Sequence, residues 1–216
     1  MPIPRECAAE IESAEIRIKE NCLRKEFLDK AKVKNIEKGY VSVPFVNQLI
    51  DLDIQGLASD LIAHKFRDVA IDKVVMVPYS GNPLATTVAE RLGVQLAVGR
   101  KGKSIPGSWS DPIVVTEEAK SFTTGEKSRF VFNGLDKGDR VLIIDDVIAY
   151  GDTSGLILKI FKNKGVNVVG LAVYFAKLFQ PGVDRIIEEH GIDPFYVVGI
   201  EKLNEDGSIS MTPPHF

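Results

Sequence analysis

Short apolar runs alternate along this chain with stretches whose apolar residues recur at helical spacing. Lys73 to Val77, Gln95 to Val98, Arg140 to Ile144, Val166 to Phe175 and Phe195 to Ile200 read as strands. Their near-continuous Val, Ile and Leu content fits strands covered on both faces. Between them, Ile54, Leu57, Ala58, Leu61 and Ile62 share one helix face, as do Leu84, Ala85, Val88, Ala89 and Leu92, and then Leu156, Ile157, Ile160 and Phe161. Asp184 to His190 adds another helix. Asp53 can cap the first of these, and Gly93 and Gly165 stop the next two. Alternation of strand and helix implies an α/β fold: a mainly parallel sheet, right-handed crossovers, helices on its faces.

The pattern loosens in two places. Residues 8 to about 34 are rich in Glu, Lys, Arg and Ala, and Ile11, Ile16, Ile18, Leu23, Phe27 and Leu28 form only a loose stripe. This reads as a surface helix or two, so residues 1–35 are expected to form an N-terminal helical extension ahead of a main domain at 36–216. Residues 101–129 place Lys101, Lys103, Lys120 and Lys127 among Gly, Ser, Thr and Pro. That segment is too polar to bury and too long for an ordinary connection, which predicts a flexible active-site loop. Ile113 to Thr116 and Arg129 to Phe132 could be the arms of a hairpin carrying its tip.

Composition narrows the class. With 216 residues, 44% of them hydrophobic and 26% charged, the chain can bury one sizeable core. A net charge of -3 offers no bulk attraction to nucleic acid, so no such partner is expected. Cys7 and Cys22 are too few for a disulfide framework, and no metal-ligand spacing accompanies them. The first residues lack an apolar signal core and no run approaches ~20 apolar residues, so the expectation is a cytoplasmic protein without a membrane partner.

The chemistry concentrates at residues 141–155, Val-Leu-Ile-Ile-Asp-Asp-Val-Ile-Ala-Tyr-Gly-Asp-Thr-Ser-Gly. Four apolar residues form a buried strand, and Asp145 and Asp146 follow where a parallel sheet delivers its strand ends, the edge at which open α/β sheets bind ligands. Gly151, Thr153, Ser154 and Gly155 then open a helix, where free N–H groups and the positive dipole end favour a phosphate. Two acids for hydroxyls and a nest for phosphate point to a ribose 5-phosphate. A plain strand and helix start would need one turn acid, whereas adjacent buried acids disfavour each other's ionised forms unless a ligand or cation compensates.

This stretch resembles the ribose-phosphate signature of type I phosphoribosyltransferases, and the chain is most similar there to the xanthine and adenine (purine) enzymes. The resemblance implies the type I phosphoribosyltransferase fold, with a small hood from about 36–52 and 174–203, and transfer of ribose 5-phosphate from phosphoribosyl pyrophosphate (PRPP) to a purine in purine salvage. Xanthine is the favoured base; adenine, orotate or a non-catalytic PRPP-sensing regulator are the alternatives. Asp145 and Asp146 are the catalytic pair, and Ala149, Tyr150, Gly151, Asp152 and Thr153 the phosphate loop, which departs from the family pattern at Tyr150 and Asp152. A carboxylate would repel phosphate, so Asp152 should face outward while its backbone N–H serves the nest.

Other segments carry the rest of the resemblance. Val77 to Gly81 sits where the family binds pyrophosphate, which assigns Ser80 and Gly81 and implies a cis peptide at Tyr79-Ser80. Arg100, Lys101 and Lys103 match its basic stretch, often placed across a dimer interface, so a homodimer is implied. Asn47, Lys177 and Phe179 match the base-binding hood segments, with Phe179 or Tyr174 stacking on the base and Lys177 donating to a purine carbonyl. Mg2+ is implied as cofactor, held by PRPP rather than directly by side chains, with Asp146 the one that could meet it. Gly102-Lys103-Ser104 imitates the end of a P-loop, but Ala97 stands where its leading glycine should fall. No helix opens with the glycine triplet of a dinucleotide fold.

Overall fold

The computed structural model describes residues 5–78, 81–102, 113–120 and 127–216. The chain opens with α1 (Arg5–Lys30), the hairpin of β1 (Lys32–Asn35) and β2 (Tyr40–Ser42), the one-turn α2 (Pro44–Asn47) and α3 (Leu52–Phe66). Then come β3 (Lys73–Met76), α4 (Asn82–Leu92) and β4 (Gln95–Val98), followed by β5 (Arg100–Lys101), β6 (Ile113–Lys120) and β7 (Lys127–Phe132). The last part holds β8 (Arg140–Ile148), α5 (Asp152–Lys164), β9 (Asn167–Lys177), α6 (Gly182–His190), β10 (Phe195–Leu203) and β11 (Ile209–Met211).

The main sheet runs β11-β10-β9-β8-β3-β4, parallel throughout except for the edge strand β11. From β3 the chain crosses through α4 outward to β4, whereas from β8 it crosses through α5 and α6 to β9 and β10 on the other side. Strand order therefore reverses between the neighbours β3 and β8, the switch point at whose carboxyl edge two helices splay apart and leave a crevice. Both sheet faces are covered, as the apolar runs required. Val74, Met76, Leu142, Ile144 and Ala172 pack with α1, α3 and α4, while Val75, Ile143, Leu171 and Val173 pack with α5, α6 and Phe130 and Phe132 of β7. The small sheet β5-β7-β6 is antiparallel, so the expected hairpin is present with longer arms.

Three local readings are corrected. α1 is one 26-residue helix that belongs to the core: Ile16, Leu23 and Phe27 are buried, whereas Ile11, Ile18 and Leu28 are exposed. Phe27 packs edge-on to Phe45 at 5.9 Å and stacks with Tyr174 at 6.5 Å. The stripe looked weak because it also includes Glu20, whose buried carboxylate accepts the His215 and Phe216 N–H groups at 2.6 and 2.9 Å. Second, α3 is capped by Asp51 rather than Asp53; its Oδ1 accepts from the N–H groups of Asp53 and Ile54. Third, Tyr174 is 1% exposed within the core, so it is not available to stack on a base.

Candidate active site

β8 is longer than the four apolar residues indicated. It stays paired to β9 as far as Ile148↔Ala176, whereas its pairing with β3 ends at Ile144↔Met76. Asp145 and Asp146 therefore lie within the strand rather than after it, along the edge that β3 has left open. Each is 7% exposed. Asp145 Oδ1 accepts the backbone N–H of Asp146 at 2.9 Å. Burial, and then the charge of Asp146, push the Asp145 carboxyl well above the usual carboxylate range.

Two helix N-termini flank the pair. α4 begins after Gly81, which lies so close to β8 that an added Cβ would stand 2.9 Å from the Ile144 carbonyl oxygen and 3.1 Å from Asp145 Cα. α5 begins after Gly151, whose φ of 76° is left-handed and suits glycine. Both N-cap residues are glycines, so neither N-cap side chain takes up the first-turn N–H groups, which at a helix start suit an anion.

The loop that leads into α5 is gripped from behind. Gly182 N–H donates to the Ala149 carbonyl at 3.0 Å, and the two backbones approach closely enough that a Cβ on Gly182 would stand 2.4 Å from that oxygen. Arg185 Nη1 donates to the Tyr150 carbonyl at 2.9 Å and to Asp152 Oδ1 at 2.8 Å. The Asp152 side chain is 56% exposed and engages this arginine, in keeping with an outward-facing carboxylate. Thr153 follows in the first turn of α5.

The three base-site candidates converge on the same edge by unexpected contacts. Asn47, at the end of α2, donates from Nδ2 to Asp146 Oδ2 at 3.0 Å, which ties it to the acid pair. Lys177 Nζ donates to the Gly39 carbonyl at 2.8 Å. Burial lowers the pKa of Lys177, and the charge of Asp146 acts in the opposite sense. Phe179 is 38% exposed and covers Gly39, whose φ of 63° turns the β1–β2 hairpin. Segments near residues 39 and 177–180 are thereby fastened together.

Of the basic stretch, Arg100 and Lys101 lie exposed on β5, held beside the carboxyl end of β3 by the Gly99 N–H to Met76 O bond of 3.1 Å. Ser80, Lys103 and the Tyr79-Ser80 peptide lie outside the described residues, as does most of the 101–129 loop. Arg185 and Gln180 were not foreseen. Gln180 Nε2 contacts the Tyr150 hydroxyl at 3.4 Å. Only the misplaced charge of Asp152 hinted that a cation must approach from elsewhere in the chain.

Among the described residues no cluster of three His, Cys, Asp or Glu could hold a metal, and no helix is long and apolar enough to cross a membrane. The arrangement can hold two anionic groups at two helix starts, with hydroxyls on carboxylates between them. A family model described as a phosphoribosyl transferase domain matches residues 46–200. A xanthine phosphoribosyltransferase from Streptococcus pyogenes serotype M5 (strain Manfredo) is 31% identical over 168 residues, covering 77% of this chain and 84% of that protein. Similar solved structures include adenine phosphoribosyltransferase from Leishmania donovani, with a TM-score of 0.67, 16% identity and coverage of 90% and 88% of the two chains. The Trypanosoma brucei enzyme, in complex with AMP, pyrophosphate and ribose-5-phosphate, gives a TM-score of 0.66 at 19% identity, covering 82% of this chain and 79% of that one. At these identities the structural likeness is one of fold.

Proposed function

The chain belongs to the phosphoribosyltransferase family, and from that premise we propose that it transfers the phosphoribosyl group of PRPP to xanthine, releasing pyrophosphate. The observation that carries this reading is the Asp145–Asp146 pair set between two glycine-led helix N-termini at the β3/β8 switch point. The α5 end takes the 5-phosphate on the N–H groups of Asp152 and Thr153 within the loop from Ala149, Tyr150 and Gly151. The α4 end, with Gly81, Ser80, Arg100, Lys101 and Lys103, takes pyrophosphate. Between them the two carboxylates receive the ribose hydroxyls.

Bond breaking at C1 sends the electron pair to pyrophosphate, while a ring nitrogen of the base bonds to C1 and its proton passes to the departing pyrophosphate. The protein's work is positioning, charge compensation and exclusion of water. Asn47 fixes the rotamer of Asp146, so the hydroxyls meet an oriented carboxylate. Magnesium fits here as a cation held by PRPP oxygens rather than directly by side chains, with the Asp146 carboxylate the one group that could meet it. When bound, it neutralises charge developing on the leaving group.

Lys177 spends one of its three N–H bonds on Gly39, which leaves two for the carbonyls of an oxidised purine beside the face of Phe179. Xanthine suits that donor-only group better than adenine, whose exocyclic amine is itself a donor. The 31% identical relative bears the same substrate in its name. We further propose a cytoplasmic homodimer, with a hood from about 36–52 and 174–203. The test incubates the protein with PRPP, Mg2+ and each of xanthine, guanine, hypoxanthine, adenine and orotate, following pyrophosphate release. Xanthine should give the highest kcat/KM; a preference for adenine or orotate overturns the assignment, and PRPP binding without product with any base makes the chain a sensor.

A further inference from the structure

We infer that Arg185 is a positioning residue that keeps Asp152 from occupying the protein's own phosphate site. The inference rests on the phosphoribosyl reading of the α5 N-terminus. Asp152 is the first residue of α5, where a carboxylate is favoured by the helix dipole and the first-turn N–H groups have no intrahelical partner. An acid that turned inward there would satisfy the same donors that a 5-phosphate needs, and would repel the phosphate as well. It does not turn inward. Asp152 Oδ1 instead accepts a hydrogen bond from Arg185 Nη1 at 2.8 Å, and the N-cap of α5 is Gly151, which has no side chain to cap the helix.

The arginine is set for this task by its own helix. Its Nη1 also donates to the Tyr150 carbonyl at 2.9 Å, so one guanidinium nitrogen spans the loop backbone and the acid. Glu189, one turn later on α6, lies 3.5 Å from Arg185 Nε and holds the other side of the group. The start of α6 meets the loop directly through the Gly182 N–H to Ala149 O bond. Arg185 and Asp152 are 42% and 56% exposed, and an ion pair so open to water adds little to stability. Its consequence lies in where it sends one negative charge.

The test measures binding of ribose 5-phosphate and of PRPP by titration calorimetry, together with the KM for PRPP and the thermal midpoint. The proteins are wild type, Arg185→Ala, Asp152→Asn and the double variant. Arg185→Ala should weaken both ligands about tenfold and raise KM with a smaller change in kcat, while the thermal midpoint stays nearly constant. Adding Asp152→Asn to Arg185→Ala should restore most of that loss relative to Asp152→Asn alone, because the competing carboxylate is gone. Unchanged binding in Arg185→Ala overturns the inference, as does a double variant as weak as Arg185→Ala, which would make the arginine a direct or purely structural contact. If wild type binds neither ligand, the phosphoribosyl reading fails with it, and that outcome is distinct from wild-type binding that Arg185→Ala leaves unaltered.

Discussion

Gly182→Ala isolates the contact that shapes the loop proposed to hold the 5-phosphate. Gly182 is the first residue of helix α6, so an alanine can adopt its backbone conformation and the added methyl alone decides the outcome. That methyl would stand 2.4 Å from the Ala149 oxygen, 2.7 Å from Gly151 N and 2.8 Å from the Ala149 carbonyl carbon, all backbone atoms that cannot rotate away. Ordinary contact begins at 3.4 Å, so the loop and the start of α6 must part by about 1 Å. Overpacking of this kind costs about 1–3 kcal/mol, and loss of the Gly182–Ala149 hydrogen bond adds about 1 kcal/mol. A displacement near 1 Å in a group that positions substrate costs on the order of 100-fold in rate. Urea unfolding and initial rates of pyrophosphate release at varied PRPP measure the two effects. Gly56→Ala is the control: in mid-α3 its methyl meets only Arg91 Nη2 at 3.7 Å, so it should stabilise by about 0.5–1 kcal/mol with unaltered kinetics. A Gly182→Ala protein with wild-type stability and a PRPP KM within about twofold of wild type would refute the reasoning.

Asp146→Asn should lower kcat/KM by about 100-fold while unfolding free energy moves by less than about 1 kcal/mol; near-normal turnover in the rate assay would remove Asp146 from the site. Phe27→Ala should cost about 3–5 kcal/mol in denaturant unfolding, because the ring is fully buried against Phe45, Tyr174 and Phe175; a loss below about 1 kcal/mol would return α1 to the status of an appendage. Asp72 accepts from the Arg140 side chain and backbone, which holds its carboxyl well below the usual range. A depressed folded pKa contributes stability above the unfolded value of about 3.9 and loses it as pH falls through the folded one. The melting temperature of Asp72→Asn should therefore lie below wild type at pH 7, with the gap narrowing once pH drops below about 4; a gap that persists undiminished in acid would contradict the linkage.

Local pattern was enough for the parallel sheet and for the segment that carries the acids, because both write a short-range signature. Val-Leu-Ile-Ile must be covered on two faces, and adjacent carboxylates behind it need an external partner. The same locality explains the errors. Glu20 hid the buried stripe of α1, since its carboxylate is acceptable inside only because the N–H groups of His215 and Phe216 return to it from 195 and 196 residues away. The end of β8 was misjudged because a strand flanked unequally by β3 and β9 can carry polar residues on its open edge while still paired on the other.

The sequence by itself determined which chemical groups stand together, since two acids, a glycine turn and a helix start lie within fifteen consecutive residues. Tertiary structure alone decided how those groups are held. Asn47 reaches Asp146 across 99 positions, Lys177 reaches Gly39 across 138, and Arg185 reaches Asp152 across 33. Hydrogen bonds of that separation leave no periodicity in the chain, because they depend on where the crossovers of the sheet set distant residues down side by side.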